Sequence, residues 1–259
     1  PKTIKCLTLA GIDGVCNANN HALDYGPDAL LEMLARLDKA GIGHAGAGKD
    51  LSAAAAPAII ERNGLKIGLV AFADHYDVYA ATEKRPGTHI LPVEPGSVAR
   101  LKPSIEAARK ASADLVIVTA HWGPNWRVEP QAHFVEFARA TLDAGADLFW
   151  GHSAHIFQRI EFHDGKPILF DTGDLLDDYR VNRTHRNDIS FLYRLTVSRK
   201  RVWEVELIPV RIRRMQVNRA GSEDSAFAGR RLRKLCGDDV SIERVKDRLR
   251  VREGRGSRR

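Results

Sequence analysis

Apolar residues follow two rhythms in this chain, and the rhythms alternate through its first 150 residues. Leu30, Met33, Leu34, Leu37 and Ala40 form one helical stripe, opened by Gly26-Pro27 and closed by Gly41. Phe134, Phe137, Ala138, Thr141 and Leu142 form another, opened by Pro130 and ended at Gly145. A further helix is predicted from about Gly96 to Ala111. Between them, Ile12 to Cys16 reads as a short buried strand, and Asp114 to Ala120 is an almost continuous apolar run, as in a strand covered on both faces. Asp147 to Trp150 is a third such strand. Pro57 to Arg62 and Leu65 to Ala73 flank Asn63-Gly64, which predicts a hairpin with a two-residue turn. The opening residues, Ile4 to Ala10, read as the last turns of a helix stopped by Gly11. Residues 74–95 are loop-like. Short alternating strands follow at about 156–162, 166–171, 189–198 and 202–212, with a polar loop at 177–188. From Arg219 onward the sequence is Arg-rich and weakly patterned, and only a short exposed helix near 241–250 and a disordered end are expected. Helix and strand in alternation followed by antiparallel strands indicate an α/β or α+β fold.

Composition changes this picture in one respect. The formal charge is +7 over 259 residues, but residues 211–259 hold 16 Lys and Arg against 7 Asp and Glu, a net of +9. The basic character therefore belongs to the C-terminal stretch, and the body before it carries a slight negative balance. That stretch lacks interleaved aromatics, so it can give only salt-sensitive contact with anionic surfaces and no specific nucleic-acid recognition. Cys6, Cys16 and Cys236 are too scattered for a disulfide framework or a thiolate metal site. No signal peptide or apolar run of membrane-spanning length is visible, which leaves the compartment open; an upstream leader would make an extracytoplasmic or membrane-associated location the expectation.

The chemistry gathers at strand ends. Asn19-Asn20-His21-Ala22-Leu23-Asp24-Tyr25-Gly26 follows the first strand, His121-Trp122-Gly123 the apolar run, and Gly151-His152-Ser153-Ala154-His155 the strand after it; Gly173-Asp174 comes close behind. In open α/β sheets ligands bind at that edge. Imidazole and amide oxygen suit a metal-dependent phosphoester or amide hydrolase, because both ligate metals and a neighbouring imidazole can move a proton. His152 and His155, three apart in a loop, can face two adjacent metals, although one packed and one exposed histidine fit the same spacing. Asn20 can offer a carbonyl oxygen while His21 points at substrate, and Asp24 can orient that imidazole; an Asn-rich turn with a capping aspartate is the plainer alternative. His75, His89, His133, His163 and His185 lack partner spacing and read as surface or loop histidines, with His75 and Tyr76 placed to line a cleft. Asp171, Asp174, Asp177 and Asp178 read as a solvated turn or as carboxylates behind a metal.

The order Asn-His, His, His-x-x-His resembles the calcineurin-like metallophosphatase plan. The eight-residue Asn-Asn-His block, Ala40-Gly41-Ile42 with Gly46-Ala47-Gly48, His-Trp-Gly, Asp143-Ala144-Gly145-Ala146-Asp147, Gly-His-x-x-His and Gly165-Lys166-Pro167-Ile168 together resemble the CapA family of capsule and poly-gamma-glutamate synthesis proteins. The resemblance covers roughly residues 1–210. It implies a layered α/β/β/α sandwich over residues 1–212, lacking its first strand-helix elements, with 213–259 as an Arg-rich, partly disordered appendage. It also implies two divalent metals in a complete protein: Asn20, His121 and His152 on one, His155 on the other, and His21 as a proton donor or transition-state stabiliser oriented by Asp24.

Two departures shape the expectation. The family's upstream Gly-Asp strand and Asn-Leu-Glu segment, whose carboxylates bridge the metals, have no counterpart before Pro1, and Leu-Gly-Asn-Phe is replaced by Thr172-Gly173-Asp174-Leu175. Two cations close together need anionic ligands, so one weakly held metal or none is expected in this chain, and the Pro1 start within a helix suggests a fragment rather than a degenerate relative. The implied function is capsule or exopolymer biosynthesis through a metal-dependent hydrolase-type site, acting on an anionic polymer or on a phosphoester or amide substrate. A non-catalytic member that binds polymer or a polymer-synthase partner is the alternative.

Overall fold

Residues 2–94 and 96–254 are described by the computed structural model, and they fall into two units, Pro1–Trp122 with Asp143–Ala146 and Gly123–Leu142 with Asp147–Arg259. In the first unit α1 (Lys2–Leu9) precedes β1 (Gly14–Cys16), α2 (Gly26–Lys39) and β2 (Gly43–Ala45). β1 and β2 pair in parallel with Cys16 opposite Ala45, which leaves the Asn17–Asp24 segment emerging from a strand end. Leu30, Leu34 and Leu37 are the buried stripe of α2, and with Ile42 and Ala47 they form a core against Ile4, Leu7 and Val15. Burying each such leucine is worth about 1.5–3 kcal/mol. β3 (Ala47–Gly48) leads to α3 (Leu51–Ala55), whose first turn is capped by the Asp50 carboxylate accepting from the Ala53 N–H at 2.8 Å. Neither element is marked by periodicity, because both are too short to show one.

β4 (Ala58–Arg62) and β5 (Leu65–Ala73) form the expected hairpin; Asn63 at φ 52° and Gly64 at φ 73° supply the left-handed pair that a type I′ turn requires. After β6 (Gly87–Thr88), which pairs with β3, α4 (Ser97–Lys110) returns the chain to β7 (Leu115–His121). β7 runs parallel to β5 with His121 opposite Ala73. That register sets the strand-end histidine beside the segment that leaves β5.

The second unit holds α5 (Ala132–Asp143, its last residue in the first unit), β8 (Leu148–His152), β9 (Ile160–His163) and β10 (Lys166–Leu169). β10 pairs parallel with β8 and antiparallel with β9. A further sheet is built from β11 (Ile189–Val197), β12 (Val202–Arg213), β13 (Gln216–Arg219), β14 (Val240–Val245) and β15 (Arg248–Glu253), in the order β11-β12-β15-β14 with β13 also against β12. α6 (Ser222–Cys236) buries Ala228, Leu232 and Cys236. Both units are thus mixed α/β.

The Arg-rich stretch departs from expectation. Where a short exposed helix near 241–250 is expected, the chain forms the β14–β15 hairpin, and a four-turn helix precedes it. The physical reason is period-two alternation: Leu249 and Val251 are buried, whereas Arg248, Arg250 and Arg252 turn to carboxylates. Arg250 meets Glu204 at 2.7 Å, Arg252 meets Glu204 at 3.1 Å, and Arg248 meets Glu206 at 3.5 Å. Arg186 and Arg211 likewise share Asp188 and Asp224. Of the end expected to be disordered after residue 250, Val251 to Glu253 complete β15, and 255–259 lie outside the described residues. No helix among the described residues is long and apolar enough to cross a membrane.

Candidate functional site

In the first unit the Asn-Asn-His block is a tight turn. The Asn19 side chain accepts from the His21 backbone N–H at 2.8 Å, an Asx turn that projects His21 outward. The His21 Nδ1 and Asp24 Oδ2 atoms are 2.8 Å apart, and the Tyr79 hydroxyl donates to the other Asp24 oxygen at 3.4 Å. Nδ1–H donation to the carboxylate leaves Nε2 as a proton acceptor facing solvent. Asn20 is half-buried in the same turn.

His121 is buried at the end of β7, and the His75 ring stands 5.4 Å from it, centroid to centroid. His75 is in turn hydrogen-bonded to Asp74, whose backbone N–H donates to the His121 carbonyl at 3.1 Å. His75 thus joins a strand-end cluster instead of standing alone. His89, expected at the surface or in a loop, is buried; its Nδ1 lies 3.1 Å from the Ala71 carbonyl, and burial lowers its pKa. It is a structural histidine packed under β5.

In the second unit β8 delivers Gly151-His152, and the next residues take conformations that side chains rarely adopt: Ser153 has φ 125° and His155 φ 60°. Such backbone persists only where the surroundings over-determine it. Asp171 is the determinant here. Its carboxylate, 2% exposed, accepts the Ala154 N–H at 2.8 Å through one oxygen and the Gly173 N–H at 2.8 Å through the other. One side chain therefore fixes both the His-x-x-His loop and the Gly-Asp turn. A solvated turn does not describe it: burial pushes its pKa up to about 7, against the opposing pull of the two N–H donors. Gly173 has φ 66°, and a methyl group there would fall 2.9 Å from the Phe157 nitrogen.

This double clamp sets His155 against acids. Its Nδ1 lies 3.0 and 3.2 Å from the two Asp174 oxygens. Burial works to lower the His155 pKa, but the hydrogen bond and charge of Asp174 outweigh it and hold it above the usual value. Asp177 joins them, and ligand atoms of His155, Asp174 and Asp177 all lie within 4.8 Å of one another. Burial, with the adjacent Asp174, pushes Asp177 up to about 7, and its buried Oδ2 has no hydrogen-bond partner among the described residues. Two carboxylates and an imidazole this close hold protons that a divalent cation would displace, so the donor set fits a metal. His152 is half-buried, and desolvation lowers its pKa to about 4.

Sequence reading did not find Asp174 and Asp177 as partners of His155, because they lie about twenty residues away, beyond β9 and β10. Nor did it find Trp126, whose ring lies 5.5 Å from His155 and stacks 5.7 Å from His185. His133 is exposed, as expected.

Comparison with known proteins gives this geometry a family context. The sequence profile described as bacterial capsule synthesis protein PGA_cap matches residues 1–179. A probable polyglutamine synthesis accessory protein of Mycobacterium tuberculosis is 36% identical over 242 residues, covering 88% of this chain and 63% of that protein. The PGA biosynthesis protein CapA of Bacillus subtilis is 33% identical over 185 residues, covering 71% of this chain and 47% of that protein. The chain therefore spans under two thirds of the length of these relatives. Among solved structures, a putative 5'-nucleotidase from Staphylococcus aureus aligns with a TM-score of 0.46 at 14% identity, over 84% of this chain and 41% of that chain.

Proposed function

Because the chain belongs to the bacterial capsule synthesis protein family PGA_cap, we propose that it serves in capsule or poly-gamma-glutamate production through a metal-dependent, hydrolase-type site. The observation that carries this reading is the His155, Asp174 and Asp177 cluster, a preformed anionic cradle in the second unit. It supplies two carboxylates from within the chain. A divalent cation there would polarise a phosphoryl or acyl oxygen. His155, Asp174 and Asp177 would hold it, and His152, whose pKa is lowered to about 4, offers a further neutral imidazole from the preceding strand end. Asp171 fixes the backbone on which His155 and Asp174 stand. In the first unit Asn20 and His121 offer an amide oxygen and an imidazole, and His21 is the residue suited to move a proton, with Asp24 fixing its tautomer.

The test is metal content and hydrolysis measured together. The full chain, loaded with zinc or manganese and desalted, is expected to retain about one divalent ion or more by elemental analysis. Asp174→Asn with Asp177→Asn should remove that ion, and His152→Ala should lower hydrolysis of γ-glutamyl amides or aryl phosphoesters by about a hundredfold. Metal content and activity unchanged in all three substitutions would refute the catalytic reading and leave the polymer-binding one.

A further inference from the structure

Beside the acidic cradle the second unit carries a cavity of about 720 Å³, lined by Trp126, Arg180, Val181, Asn182 and Arg183. Its walls are fixed by hydrogen bonds on both sides. The Trp126 backbone N–H donates to the Ala154 carbonyl at 3.0 Å, one residue from His155, and the buried Gln158 side chain donates to the Arg127 carbonyl at 2.9 Å. Trp126 itself has φ 64°, a costly backbone state for a large aromatic that indicates a required ring position. On the opposite wall Asn182 organises the loop: its side chain accepts the Thr184 and His185 N–H groups at 2.9 and 3.0 Å, and its own N–H donates to Asn187 at 2.7 Å. This holds Arg180 and Arg183 at the mouth, exposed and without an acidic partner among the described residues. Most arginines of the neighbouring sheet, by contrast, are paired with carboxylates.

Asp174 and Asp177 gather at the His155 imidazole, and two unpaired guanidiniums line the cavity whose Trp126 ring stands 5.5 Å from the same imidazole. Guanidinium forks bind carboxylate and phosphate oxygens in pairs, and an indole face accepts the apolar stem of the same ligand. We propose that Trp126, Arg180 and Arg183 form an oxyanion-binding subsite, which takes a charged group of the substrate next to the bond presented at His155. The substrate class is then a polyanion, with carboxylates or phosphates spaced along a chain. This inference rests on the reading of His155 as part of the reacting site, but the subsite itself is independent of any metal.

The experiment uses calorimetric titration of the full 259-residue chain in chelator, with a γ-linked glutamate decamer in one arm and inorganic pyrophosphate in the other. Binding that weakens with salt is expected. Arg180→Ala with Arg183→Ala should reduce affinity at least tenfold, and the double lysine variant should recover part of it, since charge remains but the fork is lost. The probe whose binding depends on the two arginines names the oxyanion. Equal affinity in wild type and the double alanine variant for both probes, or no binding of either at millimolar concentration, would overturn the subsite. Because these titrations contain chelator, failure of the metal-dependent reading leaves them unaffected. Loss of arginine-dependent binding with metal content intact removes the subsite alone.

Discussion

Replacing Asp171 by asparagine separates the two things this side chain does. As a carboxylate it accepts two backbone N–H groups at 2.8 Å, one per oxygen; an asparagine can accept only one, and its amide then faces the other donor. Leaving that N–H unsatisfied costs about 1–3 kcal/mol. Above pH 7 the substitution also removes a buried charge. Burial raises the Asp171 pKa from 3.8 to about 7, so between those values the folded chain holds a proton that the unfolded chain releases. Stability from this group is complete below pH 4 and is lost as pH rises through 7, with a total on the order of 4 kcal/mol. Most of the window, roughly 2–3 kcal/mol, falls between pH 5 and pH 8. Urea denaturation of wild type and variant in chelator, followed by tryptophan fluorescence, should therefore show the variant gaining on wild type by that amount across the interval. A difference in stability that stays constant from pH 5 to pH 8 would refute the assignment of a raised pKa. A variant as stable as wild type at pH 5 would refute the double clamp.

Four other substitutions test separate parts of the structure. Gly46→Ala places a methyl group 2.6 Å from the Ala18 Cβ at φ 91°, whereas Gly41→Ala, at φ 69°, meets nothing within 4 Å; the first should lose about 2–4 kcal/mol and the second about 1–2, measured by urea denaturation. Asp24→Asn should shift the His21 ring from Nε2-free toward a mixed tautomer, read from nitrogen chemical shifts; an unchanged spectrum rejects the carboxylate as its orienting group. Val251→Ala, at a fully buried position of β15, should cost about 1–3 kcal/mol, and a neutral outcome would mean that this hairpin is not part of the sheet.

The elements that could be read from sequence are those whose signal is local. The α2 stripe, the Asn63-Gly64 turn and the apolar run ending at His121 each carry their own punctuation, and each forms where the pattern puts it. The candidate site was legible only in its sequence-adjacent pieces. His21 and Asp24 are three residues apart and meet; His155 and Asp174 are separated by β9 and β10, and nothing local announces their pairing. His75 and His121 come together because β5 and β7 run in parallel register, a fact of topology rather than of spacing. Asp171 looked hydrophilic among other acids, yet its neighbours are buried backbone. In β15 the arginines at alternate positions obscured the apolar residues between them, since composition suggested a solvated stretch where alternation specified a strand.

The place of β15 in its sheet bears on how the second unit is made. β12 carries β15 along Val205–Leu207, yet more than thirty residues, including β13, α6 and β14, are synthesised between these two strands. On the ribosome, therefore, β12 waits with part of an edge unpaired while its last neighbour is still in the exit tunnel. Chains that stop early would emerge with that edge open to pairing with other chains. The arginine–glutamate contacts along it favour the register in which Val205 faces Val251, where Glu204 and Glu206 meet Arg248, Arg250 and Arg252.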